Sequence, residues 1–245
     1  MLEKIVRAVS GAARKARTTL VNIPDLFHTT TSGYVTLASC VILPGRIHRD
    51  VDGTYEYPDL NVTTTRHYTN RRFDKMCDSA YKKGYSFLSP RQFFDLKHLL
   101  ESGRDVYDGT GRKISSLRVR EMLADMFEAR EPLRGEWLDA RFEIINGVLY
   151  MASGHRRILE GCIEPMDLEP VGECLMDECD INFSSINRQG LPTKKGRDAL
   201  YWPPKVNNES GTIFLVNGRR AFLAFSYVTE NFNPNVGVRL VSRRI

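Results

Sequence analysis

A chain of 245 residues with 42% hydrophobic residues and a net charge of +5 is globular and long enough to bury a sizeable core in one or two domains. Five cysteines, an odd count in a chain of this size, argue for reduced thiols rather than a disulfide framework. No run approaches the ~20 apolar residues of a membrane span, and Lys and Arg lie scattered beside Asp and Glu, so neither a stable membrane span nor a nucleic-acid partner is expected.

Leu2 to about Val21 reads as a basic, mildly amphipathic helix, interrupted at Gly11 and broken at Ile23-Pro24-Asp25. It lacks the apolar core of a secretory signal. That points to a cytoplasmic place or a non-classical export route, and to a packing, anchoring or homo-oligomer role for the helix. Tyr34–Leu43 is apolar and β-rich and stops at Pro44-Gly45. Arg46–His48 and Thr54–Tyr57 bracket a hairpin turn at Asp52-Gly53, and Asn61–Tyr68 is β-branched and reads as a strand. Residues 1–85 are accordingly set apart as an N-terminal region of a helix and short strands.

A short helix is expected over Arg72–Lys83. Ser89 then caps a second helix, with Pro90 at its first position, Phe93, Phe94, Leu96, Leu99 and Leu100 as apolar residues, and Ser102-Gly103 as its end. Val106–Ile114 reads as a hairpin looped at Asp108-Gly109. Ser115 or Ser116 opens a further helix carrying Leu117, Met122, Leu123, Met126 and Phe127, which fades before Glu131-Pro132. Trp137–Phe142 leads to a hairpin with the strong Asn146-Gly147 turn. After Met151 the helical signal stops, and Pro and Gly punctuate a long loop-rich stretch. Irregular backbone of that length is usually functional or held by a scaffold.

Chemistry-bearing patterns are scarce. There is no glycine-rich phosphate loop or dinucleotide fingerprint, and no nucleophile elbow. Ser153-Gly154-His155 places a hydroxyl near an imidazole in sequence, but a Ser–His pair needs spatial adjacency and a third orienting group. Cys174 and Cys179 stand five apart among acidic residues, whereas a metal site wants tighter spacing and further Cys or His close by. Asp177, Asp180 and Asn182 lack the fixed spacing of a calcium loop. No catalytic residue, cofactor or metal is expected.

The last stretch, Gly211–Val241, has two strand-like ends around a mixture of amides, guanidiniums and aromatics, the composition of a binding surface. In Ala221–Ser226 the alternation separates two faces. With Ala221, Leu223 and Phe225 inward, Phe222, Ala224 and Ser226 face out.

An ordered series of short stretches carries a resemblance. Ser102–Gly111 is followed by Arg134–Phe142, then Asp180-Ile181-Asn182-Phe183, then Asn187-Arg188-Gln189-Gly190-Leu191-Pro192-Thr193-Lys194-Lys195, then Tyr201-Trp202-Pro203-Pro204, and finally Val236-Gly237-Val238-Arg239. In that order they resemble the variable proteins of archaeal diversity-generating retroelements, which have C-type lectin-like domains. The matching portion runs from about Phe87 to the end. The resemblance implies an α+β, C-type lectin-like domain over residues 86–245, with two helices and a loop-rich second half. It also implies a non-catalytic ligand-binding protein, not an enzyme. A retroelement would diversify its segment at about 214–235 through adenine mutagenesis, around a framework including Phe214, Ala221, Leu223, Gly237 and Val238. The expected contact residues on that hypervariable face are Asn217, Arg219, Arg220, Phe222, Tyr227, Glu230, Phe232, Asn233 and Asn235, and the partner is a protein or surface ligand. Two alternatives stand beside it. One is a virion or cell-surface receptor-binding or structural protein with the same fold and fixed sequence. The other is an enzyme of the formylglycine-generating fold class, which needs a late pair of reactive cysteines; no Cys follows Cys179.

Overall fold

Among the described residues strands are the commonest regular element, and three α-helices and one 3-10 turn accompany them. The computed structural model describes residues 35–69, 73–159, 162–204, 210–228 and 235–244. The helix expected over Leu2–Val21 lies outside them. In chain order come β1 (Cys40–Leu43), the hairpin β2 (Arg46–Asp50) and β3 (Gly53–Tyr57), and β4 (Leu60–Thr63). Next are α1 (Phe73–Tyr81), β5 (Ser86–Phe87), α2 (Pro90–Glu101) and α3 (Ser116–Phe127). Then follow β6 (Arg134–Leu138), β7 (Arg141–Ile145), β8 (Val148–Ser153), β9 (Arg156–Leu159), β10 (Cys162–Glu164) and β11 (Asp167–Pro170). The chain closes with β12 (Cys179–Ile181), β13 (Ala199–Trp202), β14 (Ser210–Val216), β15 (Ala221–Val228), β16 (Val236–Gly237) and β17 (Leu240–Arg243).

Local chemistry sets the ends of these elements. Ser89 Oγ accepts from Gln92 N at 3.3 Å and Gln92 Oε1 accepts from Ser89 N at 3.0 Å, a reciprocal capping box with Pro90 just inside the helix. Gly103, at φ +67°, ends the same helix in the left-handed region. Ser115, not Ser116, caps α3 by accepting from Arg118 N. Asn146 and Gly147, at φ +53° and +80°, form the two-residue turn between β7 and β8.

Two strands are shorter than expected. Within Tyr34–Leu43, Leu37–Ser39 is a 3-10 turn and only Cys40–Leu43 is extended. In Asn61–Tyr68 the strand stops at Thr63, because the Arg239 guanidinium takes the carbonyls of Thr63 and Thr64 and ends the ladder. The loop-rich stretch after Met151 also holds more β-structure than expected, with β9 to β13 inside it.

The six-stranded sheet runs β12-β13-β15-β14-β6-β16, with parallel pairs at β13/β15 and β16/β6. Both of its faces are covered. On one, Phe214 lies 5.0 Å from the Phe93 ring and 5.1 Å from that of Phe127, joined by buried Leu223, Phe225 and Tyr201. On the other, Ile213, Leu215, Ala224 and Trp137 pack with Phe73 and Met76 of α1 and with Val238 and Leu240. The alternation in β15 is as expected, but its second face is not open: Ala224 is fully buried. Phe222 sits half-buried at the rim of this second core.

The boundary expected at residue 85 is crossed by hydrogen bonding. β17 pairs with both β4 and β5, and Val35–Ile245 packs as one compact unit. The β2–β3 hairpin docks on α2 through Asp95, a carboxylate with no exposure at all. Tyr57 Oη donates to it at 2.6 Å and Arg91 Nη2 at 2.8 Å, His48 Nε2 lies at 2.7 Å, and Arg46 Nη1 donates at 3.3 Å. Burial alone would push the Asp95 carboxyl up. The hydrogen bonds from Arg91 and Tyr57, with the charges of Arg91 and His48, outweigh it and hold it below the usual carboxylate range. Burial first, then the Arg91 charge, lowers His48 despite Asp95.

Both shifts act in one direction. A depressed Asp95 contributes stability that is lost as pH falls through its folded value. A depressed His48 binds its proton first in the unfolded chain, so stability falls as pH drops below the ordinary imidazole value. Amides of β2 and β3 are therefore expected to lose hydrogen-exchange protection relative to β14 between about pH 7 and pH 5, and His48→Gln should remove that step. An unchanged ratio of protection between hairpin and β14 across this range would disprove it.

The Asn187–Lys195 stretch is a plug against the start of α2. Asn187 Oδ1 accepts from Gln189 N and Leu191 N, both at 3.0 Å. The fully buried Gln189 amide accepts from Gly172 N and donates to Pro170 O, each at 2.9 Å. Gly190 lies at φ +87°, so close to α2 that a Cβ there would stand 2.3 Å from Arg91 N.

Candidate ligand-binding surface

The expected contact residues begin on the turn between β14 and β15. Asn217 Oδ1 accepts from Arg219 N at 2.9 Å and Arg220 N at 3.0 Å, and Asn217 N donates to Arg220 O at 3.1 Å. Its short amide therefore shapes its own turn. Gly218 N donates to Glu131 Oε1 at 3.1 Å, which ties the turn to the chain after α3. Arg219 and Arg220 are exposed. Arg220 Nη1 donates to Asp180 Oδ1 at 3.2 Å, and its guanidinium lies 5.3 Å over the Phe222 ring. That ring stands 6.0 Å from Trp202 at a tilt of 49°, so a cation, a phenyl and an indole line one short edge.

Sheet register places Asn235 at the same end. Val236 pairs with Gly135, Gly135 with Leu215, and Leu215 with Phe222. Asn235 is thus level with Val216 and Ala221, about three strand spacings or ~14 Å from β15. Tyr227 lies opposite Gly211, toward the other end, five residues and roughly 17 Å along the strand from Phe222. Glu230, Phe232 and Asn233 lie outside the described residues. The structure therefore brings Asn217, Arg219, Arg220, Phe222 and Asn235 to one end of the sheet and separates Tyr227 from them.

Asn235 is held through its main chain. Its carbonyl accepts from Gly135 N and from Arg66 Nη1, each at 3.2 Å. Arg66 Nη2 donates to Asp125 Oδ1 at 2.8 Å, and Asp125 Oδ2 accepts from Arg239 Nη2 at 2.9 Å. Arg239, 1% exposed, also donates through Nε to Glu136 Oε1 at 2.9 Å. Burial pushes the Glu136 carboxyl up, and the charges of Arg239 and Arg66 pull against it. Arg134, also buried, donates to the carbonyls of Ala124, Asp125 and Glu128 and so closes the C-terminus of α3 with a cation. A cleft of about 430 Å³ opens beside Asn235, between α3 and the Thr64–Thr69 segment.

No family model, curated protein or solved structure matches this chain. Its residues are therefore the whole basis for a functional reading. Ser153 and His155 are both buried and make no hydrogen bond with each other; His155 Nδ1 contacts Asp139 instead. Among the described residues no three His, Cys, Asp or Glu side chains converge to hold a metal ion. None of the described helices is long and apolar enough to cross a membrane. Burial pushes the Cys174 thiol up to about 11, which opposes thiolate chemistry there.

Sequence reasoning missed Arg66, Asp125 and the buried Arg239–Glu136 pair. A signal was present for the pair. Arg239 is a lone cation in Val-Gly-Val-Arg-Leu-Val, and Glu136 interrupts the strand Arg-Gly-Glu-Trp-Leu, every residue of which is buried. A charge inside an apolar strand needs a partner.

Proposed function

We propose that the chain is a non-catalytic ligand-binding protein with a C-type lectin-like domain, whose segment at about 214–235 forms the binding face and is diversified by a retroelement. The observation that carries this reading is the division of that segment. Phe214, Ala221, Leu223 and the closing Val238 are 1%, 7%, 0% and 0% exposed, while Arg219 and Arg220 between them are open to solvent. Truncating a sealed position costs about 2–5 kcal/mol, whereas an exposed one changes by about 0.5 kcal/mol or less. Such a segment can exchange its open side chains without losing its frame. The α+β architecture and the plug of Asn187–Lys195 on α2 are in keeping with the lectin-like reading. The partner is a protein or surface ligand that meets the Arg220–Phe222–Trp202 edge.

The deciding experiment is sequencing of the DNA around the gene. A near-copy of its 3′ end, differing mainly at adenines and lying beside a reverse transcriptase gene, is the expected result. If the flanking DNA holds neither, the segment is fixed in sequence and the receptor-binding alternative replaces this one.

A further inference from the structure

We propose that the cleft between α3 and the Thr64–Thr69 segment is a binding site for an oxyanion group, either a carboxylate carried by a protein ligand or free phosphate. The cleft is lined by fixed elements: Arg118, Glu121 and Asp125 recur on one face of α3, and Thr65, Arg66 and Thr69 form the opposite wall. Asn235 brings the C-terminal segment to the lining, but the Arg and Thr donors lie outside that segment and stand whether or not it is diversified.

Several donors of the lining are unused. Among the described residues the hydroxyls of Thr65 and Thr69 and the Nε groups of Arg66 and Arg118 make no hydrogen bond within the chain. Both oxygens of Asp125 are already taken, by Arg66 and Arg239. An acceptor-rich group completes such a set, and arginine forks and hydroxyls are the donors that oxyanions commonly receive.

The charged groups of the lining balance, Arg66 and Arg118 against Glu121 and Asp125, but Asp125 is already shared between Arg66 and the buried Arg239 behind it. Glu121, which lines the cleft with Asp125, is joined to Arg118 at 3.1 Å in a pair whose side chains are 47% and 52% exposed. Exposed pairs of this kind are weak, so Arg118 can exchange Glu121 for an incoming anion.

The test is a titration of the full chain with sodium phosphate and, separately, with glutarate at constant ionic strength, followed by amide chemical shifts. Saturating shifts at Thr65 and Thr69 are expected. Arg118→Gln should weaken binding about tenfold, the size of one charge-assisted hydrogen bond. Glu121→Gln should tighten it by removing a like charge, and Arg49→Gln, on the β2–β3 hairpin and outside the cleft lining, should leave it unchanged. Phosphate binding at least about tenfold tighter than glutarate identifies free phosphate as the source. Glutarate equal or tighter identifies a protein carboxylate. No saturable shift up to roughly 50 mM of either anion, or equal affinity in Arg118→Gln and the parent chain, overturns the site.

Discussion

Gly190→Ala is expected to lower stability by about 3 kcal/mol or more and the melting temperature by roughly 6–12 °C. Two effects add. At φ +87° an L side chain is strained by about 1 kcal/mol. A Cβ would also stand 2.3 Å from Arg91 N and 2.5 Å from Pro90 C, and both are backbone at the start of a capped helix that cannot step aside. Gly147→Ala separates the two effects. Gly147 has a similar φ of +80° but open space where its Cβ would lie. It should show the strain alone. Thermal melts followed by circular dichroism decide the matter. Equal losses in the two variants would mean that the contact of the 187–195 plug with α2 contributes nothing.

Arg239→Met should cost about 3–5 kcal/mol, because it leaves Glu136 buried without the guanidinium that donates to it and removes one of the two guanidiniums on Asp125. The double variant Arg239→Met with Glu136→Met should recover much of that loss, since a buried ion pair exchanged for apolar side chains is often close to neutral. The single variant also has a pH signature. Glu136 is already raised by burial, and without Arg239 it rises further. A carboxyl whose folded pKa exceeds its unfolded value gives stability at low pH that is lost as pH climbs through the folded value. Arg239→Met should therefore melt higher near pH 5 than near pH 7, opposite to the acid-loosened hairpin of the parent chain. A variant that melts alike at both values would show that Glu136 is not the group left stranded.

Local signals were legible in the sequence wherever one short stretch decides the backbone. Ser89-Pro90 opened α2 and Asn146-Gly147 turned the hairpin, because capping and positive φ are properties of a few adjacent residues. Long-range effects were not legible. The strand from Asn61 is cut at Thr63 by a guanidinium that lies about 175 positions further along the chain. Alternation in β15 gave two faces but could not say what covers the second, since α1 and the closing strands come from elsewhere. Asn217, Arg219, Arg220, Phe222 and Asn235 of the contact set gather at one end of the sheet, but only register shows that Asn235 belongs with the Asn217–Arg220 turn and Tyr227 does not. The Asn-x-Gln-Gly-Leu-Pro stretch, the most distinctive part of the resemblance, turned out to be a packing device: Asn187 and Gln189 hold their own loop, and Gly190 lets it touch α2.

β6 lies between β14 and β16, so the strand that enters the contact segment and the strand that leaves it share one neighbour. Their separation is thereby a fixed length, set by β6, whose Gly135 and Glu136 pair with β14 on one side and β16 on the other. A change of letter between Val228 and Val236 leaves that length alone. A shift of register does not: sliding β16 by one residue along β6 would move Val236 off Gly135 and turn its side chains to the opposite face. The frame is thus permissive to spelling inside the segment and strict about the alignment of the two strands that bound it.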